Sequence, residues 1–372
     1  MITRFIFFFA VGLTVLFGSH WVLYISWARF FNLTNATSRQ WLGWGLALLS
    51  FSFFGASWLA HWSENWLTKW LYAGTGFWLG LLVNLFFMCI FGWGLLLVGK
   101  LIGISVPMAP FALFMAFAIG FTAYGSWNAF HPQVKDVTVT IQDLPEQWKG
   151  KTLVQLSDVH LGHVYGREFL EKLVADTNAL HPDIVVITGD LFDGMDGNLA
   201  TLTEPLQKLS APLGIFLITG NHETYLGVDK VMEVLKNSPN IRVLNDEMVT
   251  LDGVQLVGIA YPDQRAGQTK DIGKTLAGIP GFQSKTPTIL LHHDPVGIDA
   301  ARAQGVDLQL AGHTHRGQLL PFELITRLVY HGYDYGLYQV GAYTLYTSSG
   351  VGTWGPPVRT SGQSEIVAIH LQ

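Results

Sequence analysis

Two kinds of hydrophobic pattern divide this chain of 372 residues near residue 130. Before that point, four long stretches contain no Asp, Glu, Lys or Arg; they cover about residues 5–28, 40–63, 70–99 and 101–130. Each is longer than the about 20 residues that cross the roughly 30 Å hydrocarbon core of a bilayer. Trp and Tyr cluster near their ends, as they do at membrane interfaces. The pattern predicts four transmembrane helices and a transmembrane domain over residues 1–130.

The first stretch is interpreted as a retained span. A cleaved signal peptide would end in a small-residue site, and this stretch instead runs into a Trp-rich segment. An even number of spans places both chain ends on one side of the membrane. The basic residues that flank the two faces are equal in number: Arg4, Lys69 and Lys135 against Arg29, Arg39 and Lys100. The positive-inside rule therefore leaves the side of the second half open.

From about Val137 the pattern changes to short apolar runs. VTVTI, at 137–141, alternates with the period of a strand, and runs such as TLVQL, DIVVIT, IFLIT, TILL and DLQLA follow it. Helical stretches are predicted between several of them, at Arg167–Leu180, Leu199–Leu209, Val228–Lys236 and Val296–Gln304. Strands that alternate with helices indicate an α/β domain with a largely buried sheet, here over residues 137–372. The segment HPQVKD, at 131–136, is predicted to be the linker.

The amino-acid composition argues against some classes of function and of structural site. Charged residues are 13% of the chain, only six of them precede residue 131, and the remaining residues carry a net charge of −9 against −5 for the whole. An acidic second half argues against a sequence-independent nucleic-acid binder, which needs a basic surface. Cys89 is the only cysteine, so an intrachain disulfide is excluded and a thiolate zinc site is disfavoured.

Side chains that bind metals follow five of the short apolar runs. They are Asp158 and His160, then Asp190, Asn221, either His292 or His293, and finally His313 and His315. Ligand sites of α/β sheets lie at the carboxyl ends of strands, and residues two apart on an extended segment point the same way. Asp, Asn and His suit Mn²⁺, Fe or Zn²⁺. Seven candidates exceed the needs of one ion but suit two ions that share a carboxylate.

These motifs resemble those of the calcineurin-like metallophosphoesterases. The blocks are DVH at 158–160, GD at 189–190, GNHE at 220–223, HHDP at 292–295 and GHTH at 312–315, within a resemblance that covers about residues 137–372. The resemblance implies an αββα sandwich of two sheets, here preceded by the four-helix transmembrane domain. It also implies two divalent ions of Mn, Fe or Zn. The first would be held by Asp158, His160, Asp190 and His315, with Asp190 bridging to a second held by Asn221, His293 and His313.

Other residues receive their expected roles from the same resemblance. His222 would face the phosphate and protonate the leaving oxygen. Either His292 or His293 fits as a ligand by residue type, and the resemblance favours His293, two residues before Pro295. Candidate substrate contacts are Arg316, Arg359, His292 and His163; Arg316 stands where many relatives have glycine. Glu223 and Asp294 are expected to support ligands or cap helices, and SSGVGTWGPPVR, at 348–359, resembles a glycine-rich closing segment.

The expected function is hydrolysis of a phosphodiester or pyrophosphate by a hydroxide that two metal ions activate. A lipid-linked substrate is one candidate, because an anchored enzyme meets lipid phosphates at high effective concentration; a soluble ester is the other. The resemblance favours the inner membrane of a bacterium. The alternative is a membrane transporter or receptor with a non-catalytic, metal-binding regulatory domain. His20 and His61 are almost the only ionisable residues inside the spans, which disfavours transport.

Overall fold

The computed structural model describes residues 2–63, 65–194, 199–265 and 267–372, and the side chains of residues 2–9 are outside this description. The chain divides into two compact units. The helical unit comprises Met1–Trp127 and the short segment Gly355–Thr360. The sheet unit comprises Asn128–Trp354 and Ser361–Gln372.

The helical unit contains the four apolar helices that the sequence predicts. They are α1 (Ile2–Phe30), α2 (Ala36–Trp62), α3 (Trp66–Leu101) and α4 (Ala109–Ala129). Within the described residues, all four are long and apolar enough to cross a membrane. The expectation that the fourth begins at residue 101 is wrong. Gly103 has a left-handed φ of 74° and Pro107 follows it, so the chain turns before α4 begins.

Polar side chains within the helical unit bond to neighbouring residues of that unit. The amide of Asn84 in α3 donates to Thr122 Oγ1 in α4 at 2.8 Å, as such groups do between membrane helices. His20 Nε2 accepts from Trp78 Nε1 at 3.1 Å, and His61 Nδ1 lies 2.8 Å from the Ser57 carbonyl oxygen. These contacts are consistent with structural roles for both histidines, as the sequence analysis expects.

The described residues of the sheet unit form two six-stranded sheets. In spatial order, the first sheet contains β1 (Gln133–Val139), β12 (Glu365–Leu371), β2 (Thr152–Leu156), β3 (Ile184–Ile187), β4 (Ile215–Leu217) and β5 (Ile241–Val243). The second contains β10 (Gly336–Val340), β11 (Tyr343–Thr347), β9 (Leu308–Ala311), β8 (Thr288–His292), β7 (Val254–Ile259) and β6 (Glu247–Leu251). The helices are α5 (Arg167–Ala179), α6 (Leu199–Thr203), α7 (Asn221–Leu226), α8 (Val228–Leu235), α9 (Ile272–Gly278), α10 (Ile298–Ala303) and α11 (Glu323–Val329).

The two sheets and the helices on their outer faces form four layers, because each strand packs side chains on both of its faces. In β3, Ile184 and Val186 pack into the core between the sheets, whereas Val185 and Ile187 pack against the α5 side. In β8, Leu290 packs outwards with residues of α9 and α10. Because successive side chains of a strand point to opposite faces, such fully apolar strands are buried on both sides. The unit is therefore the αββα sandwich that the sequence led us to expect.

Two local expectations are wrong for identifiable reasons. The predicted linker at 131–136 is shorter, because β1 begins at Gln133 and pairs in parallel with β12. The predicted helix over Leu199–Leu209 changes to a 3-10 helix at Glu204–Lys208. Pro205 lies in its first turn, where the proline ring and the missing N–H prevent continuation of the α-helix.

Candidate metal centre

The parallel strands bring the seven predicted ligands to one edge of the sandwich. Asp158 and His160 follow β2, Asp190 follows β3 and Asn221 follows β4, and these three strands are parallel neighbours. In the second sheet, His293 follows β8, and His313 and His315 follow β9, which is also parallel to its neighbour. The carboxyl ends of parallel strands meet at one edge, so the topology itself assembles the site.

The backbone at these strand ends is left-handed rather than extended. In the described part of the chain, thirteen residues other than glycine have positive φ, and five of them are predicted ligands: Asp158 (53°), His160 (53°), Asp190 (51°), His313 (68°) and His315 (48°). Each such conformation costs about 1–3 kcal/mol and persists where the surroundings impose it, often at functional sites. The expected extended pairing of residues two apart is therefore wrong, although the side chains still converge.

One group of candidate ligands contains Asp158, His160 and His315. Single ligand atoms of the three residues lie within 4.8 Å of one another. The Nε2 atoms of His160 and His315 are 3.0 Å apart, and His315 Nε2 is 3.3 Å from Asp158 Oδ1. All three side chains are buried. A carboxylate and two imidazoles that converge in this way match the preferences of first-row divalent metals.

The second group contains Asp190, His293 and His313, with ligand atoms that again lie within 4.8 Å of one another. His293 Nε2 is 3.2 Å from Asp190 Oδ2, 3.1 Å from His313 Nδ1 and 3.1 Å from Asn221 Oδ1. Asp190 Oδ2 is also 4.0 Å from His160 Nε2, a member of the first group. The carboxylate of Asp190 therefore lies between the two groups.

The outer nitrogens of the candidate ligands lie close to oxygen atoms of neighbouring residues. His293 Nδ1 lies 2.8 Å from the Thr188 carbonyl oxygen, so it is the donor, and Nε2 is the ring nitrogen that faces the cluster. His313 Nε2 is 3.2 Å from Asp294 Oδ1, and His160 Nδ1 is 3.4 Å from Asp193 Oδ1. Carboxylates and carbonyls in these positions orient metal-binding histidines. Asp294 thus lies beside the candidate ligand His313, and a supporting role for it stays a prediction.

The charges of the cluster favour a bound cation. Burial opposes a charged imidazole at His160, but the carboxylates of Asp193, Asp190 and Asp158 outweigh it and raise the pKa. At His293, burial also lowers the pKa, but nearby carboxylates, mainly Asp190, outweigh this effect. The pKa of His293 therefore rises well above its ordinary value. Positive charge is therefore stabilised here, and divalent cations can supply it in place of protons. The donor types, their convergence and their charge all fit divalent metal ions.

Glu223 connects two of the strand-end loops. Its buried carboxylate accepts hydrogen bonds from the backbone N–H groups of Asp190 (2.9 Å), Phe192 (3.0 Å) and Gly220 (2.7 Å). Burial and the neighbouring Asp190 charge raise the pKa of Glu223 to about 7. The loop after β3 is thereby held against the start of α7, which agrees with the supporting role expected for Glu223.

His222 lies beside the candidate ligands and lines the adjacent cleft. Its backbone N–H donates to Asp190 Oδ1 at 2.9 Å, and its Nδ1 lies 2.8 Å from the Asp193 carbonyl oxygen. The ring centroid of His222 is 4.5 Å from that of His160. Burial and nearby His160 lower the pKa of His222 despite the opposing effect of Asp190. Its ring is thus fixed at the edge of the cluster.

The comparisons with known proteins identify the family. Residues 151–317 match the family profile of the calcineurin-like phosphoesterases. A metallophosphoesterase of Aquifex aeolicus is 32% identical over 264 residues, which cover 70% of this chain and 98% of that protein. The chain belongs to the calcineurin-like metallophosphoesterase family. Members of this family use divalent metals, and the candidate ligands lie inside the matched region.

Two longer relatives extend the comparison. A metallophosphoesterase of Campylobacter jejuni is 36% identical over 244 residues, which cover 65% of this chain and 63% of that protein. A protein of Danio rerio named transmembrane protein with metallophosphoesterase domain is 36% identical over 264 residues, which cover 67% of this chain and 60% of that protein. The chain thus spans less than two thirds of the length of these two relatives.

Residue type alone could not show whether His292 or His293 is the better candidate ligand, but the structure places the two residues differently. His293 belongs to the second group of candidate ligands in this metallophosphoesterase. His292 is also buried, but its Nδ1 lies 2.7 Å from the Asp294 carbonyl oxygen, and burial lowers its pKa. His292 therefore stabilises the turn before Pro295, and a substrate contact by it stays a prediction.

The other predicted substrate contacts occupy different environments. Arg316 follows His315 with a φ of 49°; its guanidinium lies 4.5 Å from the Tyr335 ring centroid, and its Nε is 3.4 Å from Glu323 Oε2. Arg359 belongs to the helical unit and is buried there. His163 is buried in the loop after β2. Phosphate binding by these three residues stays a prediction.

A cleft of about 570 Å³ opens beside the candidate ligands. Asp190, Asn221, His222, His313 and His315 line one part of it. The other part is lined mainly by apolar and aromatic side chains, among them Phe322, Ile325, Tyr330, Trp354 and Tyr225. The sequence analysis missed both this apolar wall and Asp193. The motif GDLFD, which places Asp193 three residues after Asp190, was the available signal for the latter.

Proposed function

We propose that this metallophosphoesterase hydrolyses a phosphodiester or a pyrophosphate with the aid of two divalent cations. The observation that supports it is the pair of convergent ligand groups with the Asp190 carboxylate between them. The proposed ligands are Asp158, His160, Asp190, Asn221, His293, His313 and His315. Two ions about 3.5–4 Å apart are typical of enzymes that displace a group at phosphorus.

The bound metal ions and His222 would contribute to different parts of the reaction. A bound pair of divalent cations lowers the pKa of water and offsets charge on the phosphoryl oxygens. In the reaction, water loses a proton to the solvent and its oxygen bonds to phosphorus, the bond from phosphorus to the leaving oxygen breaks, and the leaving oxygen takes a proton. We assign the proton donation to His222, which lines the cleft and whose ring is fixed by the Asp193 carbonyl.

The membrane and domain assignments are part of the proposal. Residues 1–130 would form the transmembrane domain and residues 137–372 the catalytic domain. The four apolar helices support anchoring in a bilayer, and two relatives, from Danio rerio and Bos taurus, are named transmembrane proteins. The inner membrane of a bacterium is the placement that the sequence resemblance favours.

The test is metal-dependent hydrolysis of bis(p-nitrophenyl) phosphate by the full chain in detergent micelles. The protein is stripped of metal with a chelator, and Mn²⁺ is then titrated. We expect turnover that requires Mn²⁺ and falls at least about 100-fold in Asp190→Asn and His313→Ala, because each loses several kcal/mol of stabilisation in the transition state. Asp299→Asn, which changes an exposed carboxylate of α10, is the matched control and should keep full activity.

Two results would contradict the proposal. Turnover that does not depend on Asp190 and His313 would place the chemistry elsewhere. Two tightly bound ions without turnover of phosphodiesters or pyrophosphates would favour the non-catalytic regulatory domain instead.

A further inference from the structure

Helix α11 presents its apolar stripe to the outside of the sheet unit. Leu324, Ile325, Leu328 and Val329 are spaced so that they share one face of the helix, and they are 64%, 58%, 77% and 59% exposed. A surface helix of a soluble domain ordinarily turns such a stripe towards the core. A contiguous exposed apolar surface of this kind marks a site of interaction with a partner or a membrane.

The polar side of α11 fixes this orientation. Thr326 Oγ1 donates to Asp334 Oδ2 at 3.0 Å, and Asp334 is buried. At the start of the helix, Glu323 Oε2 accepts from Ser361 Oγ at 2.8 Å and lies 3.4 Å from Arg316 Nε. The polar contacts therefore attach α11 to the sheet unit by the side opposite to the apolar stripe.

The apolar surface continues into the cleft of the metal centre. Ile325, which belongs to the exposed stripe, also lines the cleft together with Phe322, Tyr330 and Trp354. The candidate ligand His313 lines the same cleft. A volume of about 570 Å³ lies within the range of about 300–1,000 Å³ that is usual for small-molecule sites. An apolar path thus leads from the outside of the sheet unit to the metal cluster.

We propose that α11 lies in the lipid–water interface and that the apolar half of the cleft holds the hydrocarbon chains of a membrane phospholipid, whose phosphoester is the substrate. This inference rests on the proposed function and names its substrate class. A lipid is the occupant that fits, because the same chain carries four helices that can cross a bilayer. Arg327 in the last turn is exposed and suits anionic head groups, as basic residues of interfacial helices do.

The first experiment compares two substrates that release the same product. The full chain is reconstituted in nanodiscs, and the release of nitrophenol is measured from soluble bis(p-nitrophenyl) phosphate and from dioleoylphosphatidyl-p-nitrophenol in the bilayer. The variant Leu324→Glu/Leu328→Glu should keep soluble turnover within twofold and lose at least tenfold on the lipid. Leu337→Glu, which alters an exposed leucine of β10, is the matched control and should change neither rate.

The outcomes separate the two proposals. If the α11 variant loses neither activity, or loses both equally, then α11 has no specific role in the hydrolysis of the lipid. Wild-type protein that hydrolyses neither substrate with Mn²⁺ would contradict the proposed function instead, and the position of α11 would then be decided by the second experiment.

The second experiment measures insertion without turnover. A bimane label is attached at Leu328→Cys in a Cys89→Ala background, which removes the only other cysteine. Lipids that carry a nitroxide on the acyl chain should quench this label in nanodiscs, and a label at Leu337→Cys should stay bright. Equal and weak quenching at both positions would show that α11 lies outside the bilayer.

Discussion

His222 lies beside the proposed ligands, and we assign it the different task of proton donation. Its Nδ1 lies 2.8 Å from the Asp193 carbonyl oxygen, so the neutral ring carries its proton there. The other ring nitrogen gains a proton only when the imidazole is charged. Burial and the proximity of His160 lower the pKa of His222 below its ordinary value. The proton-donating form therefore becomes scarcer as the pH rises through that lowered pKa.

We therefore expect the loss in His222→Ala to depend on the leaving group. A good leaving group such as nitrophenolate needs little protonation, whereas an alkyl alcohol needs it fully, so the alkyl ester should lose about 10²–10⁴-fold and the nitrophenyl ester far less. In the wild type, alkyl ester turnover should also decline as the pH rises. Rates for both esters across pH 5–9 provide the measurement, and equal losses for the two esters would refute proton donation.

We expect protons and metal ions to compete for the ring nitrogens of the proposed histidine ligands. The pKa of His160 and that of His293 are raised in the metal-free protein, chiefly because nearby carboxylates outweigh the effect of burial. Protons on these rings are lost only at a pH above the ordinary value of 6.5, so metal must displace them near neutrality. We expect Mn²⁺ affinity to rise from pH 6 to pH 8 with proton release. Calorimetry in two buffers of different ionisation enthalpy measures this, and a flat affinity would contradict it.

Among the structural elements, strand ends were easier to predict than helix ends. Short apolar runs followed by Asp, Asn or His marked β2, β3, β4, β8 and β9, because buried parallel strands and their ligand-bearing ends both leave local patterns. The start of α4 was misplaced, since an uncharged run does not distinguish helix from the turn around Gly103. The start of β1 was missed because its pairing with β12 is a contact across more than 200 residues.

The supporting residues of the site were harder to predict than its ligands. Asp193 comes to lie beside His160 and His222 only when β2, β3 and β4 pair. The left-handed backbone at Asp158 and His160 was likewise missed, since an extended segment was expected there. Side chains that act through tertiary contacts leave weaker local signals than those that follow a motif.

Gly312 allows a test of how two strand ends pack together, because it follows β9 and packs against the residues that follow β2. A Cβ atom at this position would overlap Ser157 Oγ and the Asp158 carboxylate. Gly312→Ala should therefore displace Asp158, weaken metal binding and destabilise the protein by about 1–3 kcal/mol, as overpacking does. Gly278→Ala is the control, since among the described residues nothing lies within 4 Å of a Cβ there. Thermal unfolding and Mn²⁺ titration check both variants, and equal behaviour would contradict this packing.

At the scale of the whole molecule, one chain combines a metallophosphoesterase sandwich with four helices that can cross a bilayer. The low charge of the first 130 residues and the acidic remainder already separate these parts in the sequence. The exposed stripe of α11 gives the sheet unit an apolar surface of its own. Together these features support our proposal of a phosphoesterase that works on substrates at the membrane surface.

The most direct test of the account is whether the protein binds two metal ions that share Asp190. Metal-stripped full chain is loaded with two equivalents of Mn²⁺ and studied by electron paramagnetic resonance. Two ions about 3.5–4 Å apart, joined by a carboxylate, should give a spin-coupled signal. Asp190→Asn should reduce it to that of isolated Mn²⁺. An isolated signal in the wild type at two bound ions would contradict the binuclear centre, and with it the proposed mechanism.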